Sequence, residues 1–133
     1  MRLTRIVVVV LTAIVGLACS GSGGSAPAKG APDRATEVSS WLFATRGVLV
    51  SWVDGKIAPE AAIKNLEATQ EMLRRETSAP NADPRITQRI AKAQALIASA
   101  RSAVQKDDKG AALDAAASLS DVGHDIRKAV PKS

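Results

Sequence analysis

The chain has 133 residues and a formal charge of +5 from 18 basic and 13 acidic side chains, a length that suits one domain and excludes two sizeable cores. Hydrophobic residues make up 46%, but much of that is alanine and only Trp41, Phe43 and Trp52 are aromatic, so the core must be thin and aliphatic, which favours an all-α class. The single cysteine excludes an internal disulfide and a zinc cluster, and the lack of a basic stripe with interleaved aromatics argues against nucleic acid as a partner.

The first element is a leader. Met1 to Arg5 carries two arginines and no acid, and Ile6 to Val15 is an apolar run broken only by Thr12. A basic end followed by about 7–15 apolar residues is the pattern of a signal peptide, and glycine and serine set in too soon for the roughly 20 residues of a spanning helix. Without Arg2 and Arg5, 16 basic against 13 acidic residues leave a weak +3.

The run ends in Val15-Gly16-Leu17-Ala18-Cys19-Ser20, which resembles the lipobox of bacterial lipoproteins. The resemblance covers only the first nineteen residues and implies a diacylated Cys19 as the mature N-terminus, anchored to the outer face of the cell membrane. It implies the outer membrane where the cell has two, because Ser20 stands where an aspartate would signal retention. The commonest lipobox has leucine where this chain has Gly16, so ordinary secretory cleavage after Ala18 is the alternative.

Ser20 to Asp33 reads SGSGGSAPAKGAPD, with no apolar residue larger than alanine. Such a stretch cannot bury enough surface to offset its ordering entropy, so a flexible linker spanning roughly 20 Å is expected. The organisation is thus a signal peptide over 1–18, an anchor and linker over 19–33, and a helical domain over 34–133.

Four helical segments follow. The first is expected to run from an N-cap at Asp33 to about Asp54, with Val38, Trp41, Leu42, Thr45, Val48, Leu49, Trp52 and Val53 on one stripe. Phe43 and Val50 lie off it with Gly47 beside them, so this helix is either the most buried or carries a second face for a partner. Pro59 begins the second, with Ala62, Ile63, Leu66, Thr69 and Leu73 inward, ending near Thr77. Asp83 and Pro84 cap and begin the third, on which Ile86, Ile90, Ala93, Ile97, Ala100 and Val104 keep bundle spacing. Asp107 and Asp108 break it and cap the fourth, where Ala112, Ala116, Leu119, Gly123, Ile126 and Val130 repeat the step until Pro131. Short connections make neighbours antiparallel, which gives a four-helix up-down-up-down bundle, or two helical hairpins that do not close on each other.

Chemistry is sparse. There is no phosphate loop, nucleophile elbow or paired-histidine motif, and with one histidine and no tyrosine an enzyme is not expected. Met72 and His124 should sit at similar height on helices that run the same way. That loosely resembles the b-type cytochromes, although their methionine is on the first helix; an edge histidine and a gap-filling methionine is the plainer account. Asp121, His124 and Asp125 share helical spacing but form a trio common on exposed helices, so no metal and no cofactor is assigned. Trp41, Phe43 and Trp52 are either core anchors or part of an exposed hot spot. The expected function is a lipid-tethered, non-enzymatic interaction module with an envelope protein partner. The alternatives are a haem, metal or lipid carrier, and an exclusion or immunity lipoprotein of the kind phages and plasmids make.

Overall fold

A computed structural model describes residues 30–131. The leader, Cys19 and all but the end of the linker lie outside the described residues. Among those described, four helices account for the regular structure: α1 Ala31–Val53, α2 Pro59–Ser78, α3 Pro84–Gln105 and α4 Lys109–Ala129. None of them is long and apolar enough to cross a membrane.

The helix ends follow local chemistry. Asp83 accepts a bond from the Arg85 amide at 2.8 Å, and Asp108 one from Ala111 at 3.0 Å, each satisfying a donor left over at a helix start. Pro59 and Pro84 occupy first-turn positions, where the missing amide proton costs nothing. Gly55 turns the chain out of α1 at a φ of 74°, and Asp107 does so between α3 and α4 at 55°, a left-handed geometry that aspartate tolerates better than most side chains. The expected cap at Asp33 is not used. The helix starts earlier, with Gly30 at the N-cap and Pro32 in the first turn, so Asp33 lies within that turn, where its charge favours the helix dipole. The helical domain therefore begins three residues sooner than the linker composition suggested.

The closed bundle is the arrangement formed. α1 packs along α2 on one side and α4 on the other, α3 bridges α2 and α4, and only α2 and α4 do not touch. The α1–α4 contact rules out two unclosed hairpins. α1 meets all three other helices, which covers Val38, Leu42, Leu49 and Trp52, while Phe43 and Val50, off that stripe, stay half-buried. Paired contacts fix the direction: Arg34 meets Glu76 and Thr45 bonds Thr69, Glu67 meets Arg101 and Gln70 bonds the Gln94 carbonyl, and Ser39 bonds Arg127 while Phe43 lies on Gly123, so in these three helix pairs numbers rise on one helix as they fall on its neighbour.

The core holds the aliphatic stripes read from periodicity, including Leu42, Leu49, Leu66, Leu73, Ile90, Ile97 and Leu119. It also holds Ala35, Ser39, Ala103, Ala115 and Val122, which lay outside those stripes. Trp41, Val48, Val53 and Ile63 are only half-buried and pack against its edge. Small residues on α4, chiefly Ala112, Ala115, Ala116 and Gly123, let it lie close to α1.

Inside the core the Thr45 and Thr69 hydroxyls satisfy each other at 2.9 Å. Replacing either one with valine is expected to cost about 1 kcal/mol, since it strands a buried hydroxyl. The double variant Thr45→Val/Thr69→Val is expected to lose less than the sum of the two, and urea unfolding of all three variants measures the difference.

Candidate functional site

Two seams of the bundle carry the polar and aromatic side chains. Along α1 and α4, the ring of Phe43 lies where a side chain on Gly123 would otherwise stand, with its Cε1 only 2.7 Å from the position a Cβ would occupy. The Arg127 guanidinium covers the ring at 4.9 Å, and the His124 ring meets it tilted at 5.0 Å. Arg127 also donates from Nε to Ser39 Oγ at 2.7 Å, while that fully buried hydroxyl donates to the Thr36 carbonyl. Glycine at 123 is thus required by the close approach of an aromatic ring, and the cluster fastens α1 to α4.

Between α2 and α3 lies an open groove of about 890 Å³. Leu66 and Ile97 line it together with Glu67, Gln70, Arg74 and Arg101. The Gln70 amide crosses to the Gln94 carbonyl at 3.0 Å, and Arg101 meets Glu67 at 3.0 Å. The groove's charges are largely paired with one another already, so it presents amides and ion pairs with no net field of one sign.

Glu71, at the same groove, accepts bonds from Arg74 at 2.6 and 3.0 Å and from Arg75 at 3.2 Å. The Arg74 bonds, more than the Arg75 bond, hold its carboxyl down from 4.5 to about 2 against a partial desolvation. Asp83 is lowered too, by Arg85. Both carboxyls are thus held low by arginines on the same helix turn. Because the folded value is the lower one, any stability from Glu71 is present above about 4.5 and lost as pH falls toward 2. In a carboxyl NMR titration at low salt, Glu71 is expected to titrate near 2, and Arg74→Ala to return it toward 4.5.

The residues singled out from sequence fall as follows. Trp52 is buried and Trp41 half-buried against the core edge, so both fill the bundle. Phe43 is half-buried in the α1–α4 seam, its ring engaged by Gly123, His124 and Arg127. Met72 and His124 do lie level, each opposite Leu42 by the pairings above, but their helices are the two that do not touch. Met72 is half-buried, whereas His124 is exposed and stacked on Phe43, so the two are not brought together around a common ligand space. Among the described residues no group of three His, Cys, Asp or Glu is placed to hold a metal ion, the Asp121, His124 and Asp125 trio included. Cys19 lies outside the described residues.

Comparison of the chain with protein-family models, curated proteins and solved structures finds no match. The geometry therefore stands on its own. Sequence reasoning missed Ser39 and Arg127, eighty-eight residues apart, because nothing local marks a serine that will face an arginine on the last helix.

Proposed function

We propose that this chain is an exported lipoprotein, diacylated on Cys19 and held on the outer face of a membrane, whose helical bundle is a non-enzymatic interaction module for an envelope protein. The observation that carries the reading is the order of residues 1–19: a basic end, an apolar run, small residues, and the chain's single cysteine at the cleavage point. The linker behind it is of the composition a tethered domain requires.

For the interaction half of the reading, support comes from what the bundle offers a partner. Its functional groups are paired amides, arginines and carboxylates along the seams. The test compares intact mass and membrane retention of the full chain with those of Cys19→Ser, followed by crosslinking in the intact envelope. A protein that keeps its membrane anchor yet captures no envelope protein rejects the interaction module and leaves the anchor standing.

A further inference from the structure

We propose that two copies of this chain associate side by side through the outer face of α1 and α4, with Arg46 of each copy paired to Asp121 of the other. Among the described residues, Leu113 is the only large hydrophobic side chain that is exposed, at 43%. It lines a shallow groove of about 280 Å³ with the half-buried Val50, the small Ala117, and the charged Arg46 and Asp121. Beside it Gly47 has nothing within 4 Å of where a Cβ would stand, so a neighbouring helix can come close. Neither Arg46 nor Asp121 makes an ion pair among the described residues, although each borders this apolar strip.

The charges select both the partner and the mode. Phe43 lies opposite Gly123, and α1 and α4 run antiparallel, so Arg46 and Asp121 stand at one level within a residue's rise. By the same register Val50 and Leu113 differ in height by less than one turn. A two-fold axis running along the helices places α1 of one copy against α4 of the other at unchanged height. Both Arg46–Asp121 pairs then form, and Leu113 of each copy meets the Val50 region of the other. An axis across the helices instead lays α1 on α1 and forms neither pair. A patch that carries its own complement in this way fits a second copy of itself. The mode also leaves both N-terminal ends at one end of the dimer, as two anchors in one membrane require; this corollary, though not the pairing, rests on the proposed anchor.

The contact is two helices wide, at the small end of specific interfaces, so association should depend on concentration and weaken with salt. The experiment is sedimentation equilibrium of the full chain in density-matched detergent, with circular dichroism to confirm helicity. The wild type is expected to dimerise, and Arg46→Glu or Asp121→Lys alone to weaken association about tenfold or more, because each sets like charges together twice. An equimolar mixture of those two variants is expected to recover the dimer, since every pair across the mixed interface is then opposite in sign. Ion pairs within one chain cannot be repaired by mixing, so recovery identifies contacts between copies. A monomeric wild type, a mixture that stays monomeric, or a Leu113→Glu variant that dimerises like the wild type would overturn the proposal.

Discussion

Replacing Cys19 with serine is expected to move the protein from the membrane fraction to the soluble fraction, with loss of the mass of a diacylglycerol group. Two acyl chains, each contributing about 0.8 kcal/mol per buried methylene, hold a protein durably where one chain is marginal, so the change should be nearly all-or-none. Intact mass spectrometry and partition after expression in a bacterial host give both readouts from one preparation. If instead wild type and variant are both soluble and both begin at residue 19, cleavage is of the ordinary secretory kind and the protein diffuses freely. The bundle would be unaffected in either case, since its first helix begins twelve residues further on, at Ala31.

The second large effect is on stability. Leu42→Ala is expected to cost about 3 kcal/mol, because Leu42 is fully buried on a helix that touches all three others. A fully enclosed site cannot relax onto the missing atoms, so the lost transfer energy is joined by that of the cavity. For a domain of this size the midpoint of thermal unfolding should fall by roughly 15 °C, out of a total stability of about 5–15 kcal/mol. Ile63→Ala offers the contrast. Periodicity assigns both residues to the inner face, but Ile63 is half-buried and its loss is expected to cost less than half as much. Equal losses at the two positions would mean that burial is not what distinguishes them.

The contrast between these two positions marks where sequence and tertiary structure part. Spacing of three and four residues puts Leu42, Leu66, Ile90, Ile97 and Leu119 on inward faces, because helical geometry is local and each face repeats along its own segment. Asp83, Pro84, Gly55 and Asp108 likewise announce their turns, since capping and left-handed backbone involve only neighbouring residues. With short connections these features determine an all-helical, antiparallel four-helix chain. The resemblance at residues 1–19, on which the proposed anchor rests, is a linear pattern of the same local kind.

Periodicity does not say how wide each buried stripe is. That depends on how near the neighbouring axis lies, and here the small residues of α4 draw α1 in until Ala35, Ser39, Ala115 and Val122 are covered as well. Nor does it say which helices stand on the diagonal: Met72 and His124 reach one level, as the topology required, yet the helices that carry them never meet. The seat of Phe43 on Gly123, with Arg127 over the ring and bonded to Ser39, brings the two ends of the domain's sequence together. Contacts of that kind depend on packing between distant segments, so only the tertiary structure decides them.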